Sequence, residues 1–125
     1  MPITVTVQNG QRFLWKEGQD PATYRLFRVS DREETRREAK DIPVEEAAAA
    51  VLMTIYEQGG LTREDLVRES AKLMGFTRPG SQVTPLFETA IFLAEEQGLC
   101  LLDNNGRWAL TDAGIRTGFR QAMPQ

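Results

Sequence analysis

Apolar residues along this chain follow two rhythms, and the change between them near residue 43 divides the sequence. In the first stretch, Ile3-Thr4-Val5-Thr6-Val7 alternates apolar and polar side chains with the period of two that marks a half-buried strand. Asn9-Gly10 is a hairpin turn signal, and Phe13-Leu14-Trp15 supplies the returning strand. A two-residue loop would set Val5 opposite Leu14 and Thr6 opposite Phe13, splitting the apolar residues between faces. A three-residue loop, Gln8-Asn9-Gly10 with Gly10 left-handed, sets Val5 opposite Phe13 and Ile3 opposite Trp15. It gathers all four on one face and is the expected register. Asp20-Pro21 marks a second turn, and Tyr24 to Val29 reads as a short extended stretch. One hairpin is marginal alone, so it has to pack on the rest of the chain or on a partner.

From residue 43 the rhythm is helical. Pro43 suits the first position of a helix, and Glu45 and Glu46 then fall where the helix dipole favours them. Val44, Ala47, Ala48, Val51, Leu52, Ile55 and Tyr56 make one stripe that ends at Gly59-Gly60. In the second helix Thr62 is the N-cap, Asp65 holds the capping-box position, and Leu61 and Leu66 form a hydrophobic staple. Gly75 closes it, with Phe76 in the core. The third helix runs from about Ser81 to Gln97 and stops at Gly98, with Pro85 early enough to be tolerated. Its buried arc is Val83, Leu86, Phe87, Ala90, Ile91, Leu93 and Ala94. Two strands follow, Leu99 to Leu102 and Arg107 to Leu110, around Asp103-Asn104-Asn105-Gly106. A short helix then opens at Thr111-Asp112.

This succession predicts an α+β fold: a winged helix, three helices plus a β-hairpin wing, preceded by an N-terminal β-hairpin segment. The expected parts are a β segment at 1–29, a charged tether at 30–42 and the winged helix at 43–122. The tether, Ser30 to Asp41, is almost wholly polar, and its Glu33–Arg37 spacing permits transient helix.

Charge decides which partners fit. The net charge is −3, unevenly spread: residues 1–40 carry eight Lys or Arg against six Asp or Glu, and the remainder seven against twelve. The helical part is therefore acidic. In DNA-binding winged helices the third helix enters the major groove, but residues 81–98 hold three carboxylates and no cation. Glu88, Glu95 and Glu96 would each repel phosphate. Phe92 projects from the same arc, either covered by the N-terminal hairpin or serving as an aromatic anchor for another protein. The candidates for nucleic-acid contact are Arg78, Arg107, Trp108, Arg116 and Arg120, with a core role as the alternative for Trp108.

Catalytic and cofactor signatures are missing. One cysteine, Cys100, in an apolar run, and no histidine exclude a Cys/His zinc site, a Ser-His-Asp triad and a Cys-His dyad within the chain. Neither G-x-x-x-x-G-K-[ST] nor G-x-G-x-x-G occurs, so no phosphate-cradling loop is signalled. Glu95 and Glu96 are adjacent on an exposed helix, with no reason to be desolvated for acid–base work. The expectation is a non-enzyme without metal or cofactor. No apolar run approaches the roughly 18–20 residues of a membrane span, so a cytoplasmic protein without a membrane partner is expected.

Three runs carry a resemblance. They are Asp41-Ile42-Pro43-Val44-Glu45-Glu46-Ala47, Gly60-Leu61-Thr62-Arg63-Glu64-Asp65-Leu66-Val67-Arg68-Glu69, and Leu73-Met74-Gly75-Phe76-Thr77-Arg78-Pro79-Gly80-Ser81. With Gly10 to Trp15 and Phe27-Arg28, they make roughly residues 10–110 resemble an uncharacterised C-terminal winged-helix-like domain of large bacterial superfamily 1 helicase and nuclease-like proteins. The resemblance implies an accessory module of a DNA-processing or defence machine, with the motor elsewhere and no catalytic residues to transfer. Two functions follow. The domain contacts DNA through the wing and flanking arginines, or it is a protein-interaction or dimerisation module using Phe92 and the acidic third helix. A transcription regulator is a third option, poorly served by so acidic a reading helix. The partners to weigh are DNA, a protein or helicase-like parent chain, and a second copy.

Overall fold

The computed structural model describes residues 4–15, 19–28, 38–76 and 81–121. Strands β1 (Thr4–Gln8) and β2 (Gln11–Trp15) come first, then a 3-10 turn at Pro21–Thr23 and strand β3 (Leu26–Phe27). A second 3-10 turn, Ala39–Asp41, leads into helices α1 (Val44–Gln58), α2 (Arg63–Leu73) and α3 (Val83–Glu96). Strands β4 (Cys100–Leu102) and β5 (Trp108–Leu110), helix α4 (Asp112–Arg116) and strand β6 (Arg120–Gln121) follow. The fold is α+β; among the described residues the strands form three two-stranded sheets, β1–β2 and β4–β5 antiparallel and β3–β6 parallel.

Helix α1 is the axis. The sequence predicts one apolar stripe on it, yet burial runs round most of its circumference. Ala47, Ala49, Ala50, Val51 and Leu52 are fully covered, and Glu46 and Thr54 are buried with them. Helices α2 and α3 and strands β3, β5 and β6 all pack against it. The methyl side chains of Ala47 to Ala50 allow that, because side-chain size at the contact sets how close elements approach. Tyr56, expected in the stripe, is instead exposed, with its ring edge-on to Phe119 at 5.7 Å between centroids.

The start of α1 is held from a distance. Pro43 is extended (φ −61°, ψ 142°) and stands as the N-cap, not the first helical residue, so α1 begins one residue later than expected. It has no side-chain acceptor to offer. The Gln8 carboxamide serves instead, accepting from the Val44 N–H at 2.7 Å and donating to the Ile42 C=O at 3.0 Å. One side chain from β1 thereby satisfies a free amide of the first turn and ties the hairpin to the helix.

Glu46, 1% exposed, is a carboxylate inside this core. Its carboxylate accepts from the Arg28 backbone N–H at 2.8 Å and from the Arg28 guanidinium at 3.0 Å. A buried carboxylate requires such partners, and its place in the first turn suits its charge. Burial acts most strongly on the Arg28 guanidinium and lowers its pKa. The hydrogen bond and charge of Glu46, with a smaller effect from Tyr24, outweigh this and raise it above the ordinary value. Phe27, Ala39 and Ile42 consequently sit in the same hydrophobic cluster as the helices. The cluster crosses the boundaries expected at residues 29 and 42. Residues 38–42 are structured, with Ala39 and Ile42 buried, while the rest of the expected tether, 30–37 with its Glu33–Arg37 pair, lies outside the described residues.

The first hairpin adopts the two-residue register, not the expected three-residue one. Val5 faces Leu14, Thr6 faces Phe13 and Val7 faces Arg12. Asn9 and Gly10 both have positive φ, 50° and 81°, as a type I′ turn requires, and that turn matches the twist of the strands. The Trp15 indole is buried, donates to Thr6 Oγ1 at 2.9 Å and meets Tyr24 edge-on at 4.9 Å. Val5, Val7 and Leu14 remain on the outside, 42%, 68% and 70% exposed. Turn geometry and the bonds made by Thr6 and Gln8 prevail over gathering the apolar residues on one face.

The helices keep most of their expected bounds. Thr62 caps α2 by accepting from the Asp65 N–H at 3.3 Å, but the Asp65 carboxylate turns to Arg68 at 2.6 Å and leaves the capping box half made. Helix α3 begins at Val83, two residues later than expected, with no side-chain cap from Gln82. Between α1 and α2, the Leu61 C=O accepts from the Trp108 N–H at 2.7 Å, so the β4–β5 hairpin reaches back to that turn. Thr111 caps α4 through the Gly114 N–H at 3.0 Å, and its hydroxyl donates to the Gly98 C=O at 2.6 Å. Gly114 lies so close to the Leu99 carbonyl that a Cβ would collide with it. Gly114→Ala should therefore cost about 1–3 kcal/mol in urea unfolding, the range for overpacking a tight contact. An unchanged midpoint would show that α4 does not lie against Leu99.

Candidate functional site

Helix α3 divides as its sequence pattern predicts. Val83, Leu86, Phe87, Ala90, Ile91 and Ala94 are buried, while Pro85, Thr89, Phe92, Glu95 and Glu96 are exposed. Phe92 keeps 55% of its surface in solvent. The hairpin does not cover it: the turn of β1–β2 instead lines a groove with Ser81, Gln82, Pro85 and Thr89, in the N-terminal half of the helix and just before it. Glu88 lies 3.6 Å from Arg63 of α2. Among the described residues no cation pairs with Glu95 or Glu96. The C-terminal half of α3 thus presents one aromatic ring beside two exposed carboxylates.

The basic candidates are dispersed. The loop between β4 and β5 is closed by Asp103, whose carboxylate accepts from the Asn105 N–H at 2.8 Å and the Arg107 N–H at 3.0 Å. Arg107 is exposed, but its guanidinium folds back to the Gly60 C=O at 3.4 Å, over the α1–α2 turn. Arg116 is exposed at the end of α4. Trp108 takes its core alternative: it is 7% exposed and belongs to the main hydrophobic cluster, so it offers no ring to a base. Arg78 and the side chain of Arg120 lie outside the described residues. Of the five candidates, Arg107 and Arg116 are placed at the surface, on separate elements.

No family model, curated protein or solved structure matches the chain.

Other chemistry adds little. Among the described residues no group of three or more His, Cys, Asp and Glu could hold a metal ion, and no helix is long and apolar enough to cross a membrane. Cys100 is buried, and burial, with the charge of Glu95 second, pushes its thiol up to about 12. Sequence reasoning passed over the Gln8 bridge, the Arg28–Glu46 pair and the outer edge of β1. The first two depend on contacts across 18 to 36 residues, with no local pattern to announce them. The third follows from a register that only the turn geometry reveals.

Two outcomes are expected. Phe92→Ala should cost less than about 1 kcal/mol in unfolding, as for a surface position, and a loss above about 2 kcal/mol would mean that the ring is covered. Cys100 should resist Ellman's reagent at pH 8 until the chain unfolds, because the thiolate is the reactive form. Its folded pKa is raised, so its contribution to stability is complete below about pH 9 and declines as pH rises toward 12. Rapid labelling of the native chain would contradict this.

Proposed function

We propose that residues 43–121 form a winged helix that serves as a non-enzymatic docking module of a bacterial nucleic-acid-processing machine, and that it docks to protein through the outer face of α3. The order α1, bridging Leu61, α2, α3, β4, β5 supports the architecture, with β4–β5 as the wing. The observation that carries the reading is Phe92, exposed beside Glu95 and Glu96 where a DNA-reading helix would need cations. Aromatic side chains dominate protein contacts when buried, and a charged rim adds selectivity. The fitting partner has an apolar pocket edged by lysine or arginine. A second copy fits this face poorly, since two such faces would set carboxylate against carboxylate.

DNA contact is the second reading, favoured by the exposed Arg107 on the wing and by the resemblance to helicase-linked domains. Against it stand the acidity of α3 and the burial of Trp108. Both readings leave chemistry to other parts of the machine.

A photo-crosslinking residue in place of Phe92, used in cells, tests the choice. The expected result is an adduct with a component of such a machine that is lost when Glu95 and Glu96 are both changed to lysine. The same double change should weaken the purified complex about tenfold or more at low salt, with a smaller effect at high salt. An adduct indifferent to charge reversal would contradict the reading. So would micromolar, salt-sensitive DNA binding that disappears in Arg107→Ala plus Arg116→Ala.

A further inference from the structure

A groove of about 800 Å³ lies between the β1–β2 hairpin and the N-terminal half of α3, away from Phe92. Thr6, Val7 and Gln8 of β1 line it, and the lining continues through the Asn9-Gly10 turn to Gln11 of β2. Side chains along a strand alternate between faces, so a wall made of three successive residues is a strand met at its edge. That edge is open. Gln8 faces Gln11 and Thr6 faces Phe13, and in a two-residue hairpin these are the pairs that exchange both backbone bonds. The N–H and C=O of Val5 and Val7 point away from β2, and nothing among the described residues pairs with them.

Proteins commonly shield such edges with charge, proline or a bulge. Strand β1 reads Thr-Val-Thr-Val-Gln and has none of these. The groove is nearly neutral, with amides at Gln8, Asn9, Gln11 and Gln82. Its charged lining residues are Lys40, 3.6 Å from Glu38, and Glu45. Such a wall suits a polypeptide backbone better than phosphate. Gln8 already shows the mode, bonding the Ile42 C=O and the Val44 N–H together.

We propose that this groove takes an extended, uncharged segment of a partner protein, which adds to β1 as a third strand. Thr6, Val7 and Gln8, the part of β1 that lines the groove, offer an edge of about 10 Å, and Val5 continues it beyond the groove. Alternate residues of the incoming strand stand beside Val5 and Val7 on the outer face, so the favoured segment is apolar at every second position. Small or polar residues between them face the Thr6 and Gln8 side. Ala39, Lys40, Val44 and Glu45, with Pro85, Leu86 and Thr89 of α3, line the rest of the groove. The proposal does not depend on Phe92.

The test pans a random heptapeptide phage library on the whole chain and measures the best peptide by fluorescence anisotropy. Alternating, uncharged peptides are expected. Val7→Pro removes the N–H that the peptide uses and spares the bonds between β1 and β2, so affinity should fall at least about tenfold. Arg12→Pro, on the opposite edge, and Phe92→Asp should leave it unchanged. Methylating alternate backbone nitrogens of the peptide should abolish binding to the unaltered protein, a result that holds even where Val7→Pro disturbs the hairpin. No enrichment overturns the proposal, as does a peptide that tolerates both Val7→Pro and N-methylation. A peptide lost only in Phe92→Asp belongs to the other face and overturns it equally.

Discussion

A carboxylate inside the core organises this protein. Glu46 sits in the first turn of a helix that is otherwise clad in alanine, valine, leucine and isoleucine, and burial makes its charge costly unless donors reach it. Arg28 supplies two, from its backbone and its guanidinium, across 18 residues of sequence. That requirement places β3 beside α1, and with it Phe27 among the helices and β6 alongside. Whether such a pair adds net stability over an apolar replacement is a separate matter from its geometric effect. It has one satisfied arrangement, and that arrangement fixes where the N-terminal segment lies.

The surfaces follow from that placement. Held on α1 by Arg28 and, at its first residue, by Gln8, the described residues of the N-terminal segment do not reach the C-terminal half of α3. Phe92, Glu95 and Glu96 are left outside. The hairpin meets only the other half of α3, and the space between them is the neutral groove. One helix therefore shows two different faces along its length, an aromatic and acidic one and an uncharged one walled by a strand edge. Neither resembles a site that holds a phosphate backbone, and Arg107 and Arg116 stand apart from both.

The helical part was legible because its signals are local. Thr62 and Thr111 cap where a hydroxyl before a helix should, glycines at 59 and 98 take positive φ just past α1 and α3, and the 3.6-residue period of α3 separates its buried from its exposed arc. What was not legible is non-local. The stripe understates the burial of α1 because β3, β5 and β6 pack on the helix besides α2 and α3, and Glu46, placed to suit the dipole, is also a core residue. The hairpin register departs from the expected one for a related reason. Counting apolar residues per face ignored the two hydrogen bonds that need Gln8 inside and the turn that Asn9-Gly10 prefers. Phe92 was the candidate that the pattern could name but not decide, since its exposure depends on where a segment some eighty residues earlier comes to rest.

The central claim is that one core joins the N-terminal segment to the helices. Two tryptophans, both buried, report on the two parts: Trp15 in the hairpin, outside that hydrophobic cluster, and Trp108 within it, against the α1–α2 turn. Urea unfolding followed by fluorescence in Trp15→Phe and Trp108→Phe variants, each with one remaining reporter and referenced to its own circular dichroism, measures their coupling directly. A single shared transition for each pair of probes is the predicted result. A Trp15 signal lost well before the helical signal would mean that the hairpin and the helices are separate units, and would contradict the account.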